Sequence, residues 1–140
     1  MKRAFVDANV ILRYLTRDPP EMAEAALRTF TAAQRGKVRL LLTPITVAEV
    51  VWVLESFYGY PRAQIAQTLT EFLHADGLEV EILDLLTEAL ALYHELNLDF
   101  ADALVATVAR RKGPPVVYSF DRDFDRVAGL TRLPPGSQKV

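Results

Sequence analysis

Phe5-Val6-Asp7-Ala8-Asn9-Val10 decides the fold. Ala4-Phe5-Val6 is a short apolar run with β-prone residues, stopped by a carboxylate and an amide. Val10-Ile11-Leu12 then continues toward Tyr14 and Leu15, which reads as strand, tight turn, helix. In an open α/β sheet the carboxyl end of the first strand faces the crevice where ligands bind. An acid placed there holds a metal, acts on phosphate, or simply caps the helix that follows. Asp7 alone does not separate these readings, so the question is whether the chain brings other carboxylates to the same edge.

Alternation of strand and helix patterns continues outward from this stretch. Glu21 to Arg35 has helical spacing through Met22, Ala25, Ala26, Leu27 and Phe30. Val38 to Leu42 is apolar enough for a parallel strand, and Thr43-Pro44 stops it. Ile45 to Tyr58 reads as a helix apolar nearly all round, with Trp52 and the tyrosines expected in the core. Further helices are expected over Arg62 to His74, Leu85 to Leu96 and Asp99 to Lys112, with strands at Leu78 to Ile82, Val116 to Tyr118 and Leu130 to Leu133. These elements predict one three-layer α/β/α domain over 1–133, with a central parallel sheet of four or five strands and a tail over 134–140.

Composition narrows the chemistry. The 140 residues include no cysteine and two histidines, His74 and His94, which leaves out thiolate metal sites, cysteine nucleophiles and histidine-rich centres. Net charge is −2, so the molecule as a whole is not a basic nucleic-acid binder. No signal peptide pattern opens the chain and no apolar run is long enough to span a bilayer, so no membrane partner and a cytoplasmic location are expected. What remains is carboxylate chemistry.

Four acids stand at element junctions or on otherwise apolar helices: Asp7, Glu49, Asp102 and Asp121. Asp99 lies one turn before Asp102, and Asp123 two residues after Asp121. In a parallel sheet, strand ends and the first turns of the following helices share one edge. Carboxylates gathered there repel one another and call for a counter-charge. A hard divalent cation supplies it and activates water for attack on phosphorus, with no need of His, Cys or Ser. Structural readings stand beside this one. Thr46-Val47-Ala48-Glu49 fits a capping box, Asp99 and Asp102 suit a helix start, and Asp121 and Asp123 suit a turn.

Taken together, Phe5 to Leu15, Thr46 to Val50, Asp99 to Ala106 and Tyr118 to Phe124 resemble the PIN-domain family, in particular the VapC-type toxins of toxin–antitoxin pairs. The resemblance covers nearly the whole chain. It implies a PIN-like sandwich and an endoribonuclease dependent on Mg²⁺, with Mn²⁺ able to substitute. Asp7, Glu49, Asp102 and Asp121 fall on the family's acidic metal-site positions. Asn9 falls on the supporting amide, and Ser119 where the family often has Thr or Ser. Asp99 and Asp123 are additional supporting acids, and Arg13 and Arg122 are candidates for substrate phosphates. The resemblance also implies RNA as substrate, a cognate antitoxin and a homodimer. A housekeeping RNA-processing nuclease and a non-catalytic PIN-like binding module are the alternatives. A haloacid-dehalogenase-like phosphatase fits poorly, because Asn9 stands where its second acid belongs.

Overall fold

A computed structural model describes residues 2–138, so Met1, Lys139 and Val140, which the expected domain and tail include, lie outside the described residues. The chain divides into two compact units, one running to Leu83 and one starting at Asp84.

In the first unit, β1 (Lys2–Phe5), β2 (Val38–Leu42) and β3 (Leu78–Val80) form a parallel sheet in the order β1-β2-β3. Ala4 pairs with Leu40, and Leu40 with Leu78, so the three strands share a row. Parallel neighbours require crossover connections. Here they are helix pairs, α1 (Ala8–Thr16) with α2 (Pro20–Gln34), and α3 (Pro44–Ser56) with α4 (Arg62–Leu73). Helix α1 packs on α2 and α3, α2 on β2, and α3 on α4. Tyr14, Phe30 and Phe72 form an aromatic cluster with ring centroids 4.6–5.9 Å apart. Arg3 and Arg39, side by side on β1 and β2, both pair with Glu79 on β3, the latter at 3.3 Å. Those two guanidiniums, hydrogen bonding from Arg3 foremost, hold the Glu79 carboxyl below its ordinary range.

The second unit contains most of α5 (Leu83–Glu95), then α6 (Phe100–Lys112), β4 (Val116–Tyr118), a 3-10 turn (Arg122–Arg126) and β5 (Thr131–Leu133). Strands β4 and β5 pair in parallel, Val117 opposite Arg132. Tyr93 and Phe100 meet edge to face with centroids 6.2 Å apart, both buried.

The helix-flanked parallel sheet is the expected architecture, with three strands in place of four or five. Among the described residues five strands do form, but β4 and β5, of three residues each, make their own two-stranded ladder. Element bounds follow the sequence closely. The strand expected to reach Ile82 ends at Val80, because Ile82 turns the chain with φ +46°. A second difference concerns α3. Its Val47, Val50, Val51 and Leu54 are buried, but Trp52 is 66% and Ile45 78% exposed, so the tryptophan is not a core residue. An apolar pattern on every side does not say which side the chain itself covers. Among the described residues no helix is long and apolar enough to cross a membrane.

Candidate functional site

Each unit assembles its own acidic group. In the first, β1 ends at Phe5, and Asp7, two residues on, is the N-cap of α1, in extended backbone with its Oδ1 accepting the Ala8 amide at 2.9 Å. The capping reading of Asp7 is therefore correct, but it does not use up the carboxylate, which offers about four lone-pair sites. Asp7, Asn9, Arg13 and Glu49 line one cavity of about 440 Å³. Glu49 reaches it from α3. That helix starts at Pro44, capped by Thr43, whose Oγ1 accepts the Thr46 amide at 3.4 Å. Glu49 is the sixth residue of the helix, too far along to close a capping box, so its exposed carboxylate is free for the cavity.

Arg13 is held in place. Its Nη1 donates to the Asp18 carbonyl at 3.1 Å and lies 3.5 Å from the Tyr58 hydroxyl. Its Nε is buried without a partner among the described residues. A buried donor left open costs about 1–3 kcal/mol. Asp18 and Tyr58 line the same cavity and are not among the site residues expected from the sequence. Their positions give no sign of it: Asp18 precedes a Pro19-Pro20 pair, and Tyr58 closes the apolar run from Ile45.

In the second unit, Asp102 lies in the first turn of α6, where an acid favours the helix dipole. Asp99 is the N-cap residue, yet its side chain makes no capping hydrogen bond. Asp121 heads the 3-10 turn with its Oδ1 accepting the Asp123 amide at 2.8 Å, and Ser119 Oγ accepts the Asp121 amide at 2.9 Å. Partial burial first, then the like charges of Asp99, Asp121 and Asp123, hold the Asp102 carboxyl above its ordinary range. Asp123 is partly neutralised by Arg126 at 3.3 Å. Arg122 is exposed at the head of the turn.

The donor set is carboxylates, an amide and a hydroxyl, with no thiol anywhere in the chain. That chemistry fits a hard divalent cation, and the mutual repulsion around Asp102 is what such a charge relieves. Among the described residues no three carboxylates or imidazoles group closely enough to hold an ion. Mg²⁺ is commonly bound by one or two carboxylates completed by water and substrate phosphate, so the chemistry does not require a full protein cage.

Comparison with known families matches residues 4–130 to the PIN domain. A curated relative from Aquifex aeolicus (strain VF5), described as a VapC ribonuclease, is 26% identical over 129 residues, covering 92% of this chain and 95% of the relative.

Proposed function

This chain belongs to the PIN-domain family, and from that premise we propose that it is a metal-dependent endoribonuclease, the toxin of a type II toxin–antitoxin pair acting in the cytoplasm. The observation that carries the reading is placement. Asp7, Asn9 and Glu49 share one cavity at the end of β1, and Asp102 sits among Asp99, Asp121 and Asp123 beside β4, in a chain with no cysteine. The VapC ribonuclease named among its relatives supports the same activity.

The proposed cation ligands follow the family resemblance: Asp7 and Glu49 in the first unit, Asp102 and Asp121 in the second. Mg²⁺, or Mn²⁺ in its place, would supply an activated water and neutralise charge developing on the phosphate oxygens. Water adds to phosphorus and the P–O3′ bond breaks, leaving a 3′-hydroxyl and a 5′-phosphate. Glu49 orients the water, and Asn9 supports the carboxylates with its amide. Ser119 fixes the turn that carries Asp121. Asp99 and Asp123 add negative potential that favours cation binding. Arg13, pre-ordered by Asp18 and Tyr58, and the exposed Arg122 contact substrate phosphates. A homodimer and a cognate antitoxin are part of the same reading.

The test is cleavage of a mixed transfer and ribosomal RNA pool by purified protein with Mg²⁺ or Mn²⁺, against EDTA and Asp102→Asn. Cleavage lost in both controls with the thermal melt intact supports the nuclease. Cleavage that survives Asp102→Asn removes that carboxylate from the site. A wild-type protein that neither cleaves RNA nor binds Mn²⁺ is a non-catalytic PIN-like module instead.

A further inference from the structure

A second concavity runs along β1 and is not used by the carboxylates. Lys2, Ala4 and Phe5 of β1 line it with Val6 just beyond the strand, and the register sets Val38 beside Lys2 and Leu40 beside Ala4. Small residues of α2, together with Arg28, make the opposite wall. The result is a groove of about 780 Å³ with an apolar floor. Its basic residues are Lys2, Arg28 and Lys37, and the one acid lining it among the described residues is Asp7. Asp7 also lines the cavity of Glu49 and Arg13, so the two concavities share that residue.

We propose that this groove holds the single-stranded RNA adjoining the cleaved bond, with Lys2, Arg28 and Lys37 on its phosphates. The inference rests on the nuclease reading and adds to it the track along which substrate enters. From Lys2 to Asp7 is five strand steps, about 17 Å, enough for several successive phosphates to meet separate cations. The cations are available. Among the described residues Lys2 and Lys37 have no ion pair, and Arg28 has only Glu24 at 3.8 Å, both side chains at least 70% exposed. Exposed pairs of that kind exchange readily for a phosphate. In a chain of net charge −2, a basic rim converging on an acid marks a polyanion path that ends at the metal-binding edge. The floor of Ala4 and Leu40 suits ribose and base faces, which carry no charge.

The experiment measures binding of a short labelled single-stranded RNA to the full chain carrying Asp102→Asn, which allows binding to be read without cleavage, across a salt series. The comparison protein adds Lys2→Gln, Arg28→Gln and Lys37→Gln, with Lys37→Gln alone as a second variant should the triple change alter the melt. Removing three phosphate contacts lowers the slope of log affinity against log salt by about 2 and weakens binding about tenfold or more at low salt. For Lys37→Gln alone the slope falls by about 0.7. If the parent binds RNA and neither variant changes affinity or slope, the groove proposal is overturned and the nuclease reading stands. If the parent binds no RNA at any salt, both fall. If RNA binding is unchanged but binding of polyglutamate is lost, the groove takes an acidic protein segment, and RNA is excluded from it.

Discussion

Ser119 Oγ accepts the backbone N–H of Asp121 at 2.9 Å, and the Asp121 carboxylate caps the next turn in the same manner at 2.8 Å from the Asp123 amide. The hydroxyl therefore sets the direction of an acid that it never touches through its side chain. Ser119→Ala is expected to lower Mn²⁺ affinity and RNA cleavage about 10- to 100-fold, the usual cost of removing a group that orients a ligand. Ser119→Thr keeps the acceptor and should restore both. Metal titration beside a thermal melt separates this from loss of folding, and equal metal affinity in all three proteins would refute it.

Asp102 predicts a stability effect of unusual sign. Its carboxyl is held above the ordinary value of 3.8, so the folded chain binds that proton more tightly than the unfolded chain does. The favourable contribution is complete below 3.8 and is lost as pH rises through the elevated value. In EDTA at pH 7, Asp102→Asn should melt about 1–3 °C above wild type, the shift expected of a partly exposed substitution. Near pH 3 the gap should close. Mg²⁺ should raise the wild-type melt more than that of the variant.

Glu79 behaves in the opposite sense. Arg3 and Arg39 hold its carboxyl below 4.5, so its contribution is present above that value and is lost as pH falls through the depressed one. Glu79→Gln should lower the melting temperature slightly at pH 7. The difference should vanish in strong acid and shrink in molar salt, because the group is exposed and its pairs are screened. A deficit that persists in both conditions would point to packing instead.

Gly77 turns the chain from α4 into β3 with φ +88°, and a Cβ there would overlap the backbone carbonyl of Ala33. Gly77→Ala is expected to cost about 2–4 kcal/mol, from left-handed strain plus displacement of the end of α2. That corresponds to a fall in melting temperature on the order of 10 °C. Gly36→Ala is the control. Its φ is similar at +76° but the space around it is open, so the cost should stay at about 1–2 kcal/mol. Equal losses at the two positions would show that the Ala33 contact does not matter.

Much of this was legible from local pattern. Val38–Leu42 and Val116–Tyr118 form where the apolar runs place them, and the helix over Phe100–Lys112 begins one residue inside the expected range. Local chemistry also removes the capping-box reading of Glu49, which the sequence left open. A helix that starts at Pro44, capped by Thr43, puts Glu49 out of capping range, and Thr46 is no longer the cap. Other features depend on distant parts of the chain. Whether β4 joins the sheet of β1 or pairs with β5 turns on long-range register, which a three-residue strand does not encode. Asp18 and Tyr58 reach the Glu49 cavity because a loop and a helix end converge there, and no spacing in the sequence records such a meeting. The groove beside β1 was hidden for the same reason, since Lys2, Arg28 and Lys37 come from three separate segments.

Trp52 makes the protein its own optical reporter. It is the chain's single indole, and it stands 66% exposed on α3 near Ile45. Its emission in the isolated folded protein should already be red, close to that of a solvated tryptophan, so unfolding by denaturant will change the wavelength little. Whatever comes to cover that helix will move the emission to the blue, with no label attached. A dilution series would then follow self-association, and a titration would follow capture by another protein, in a signal that folding itself scarcely disturbs.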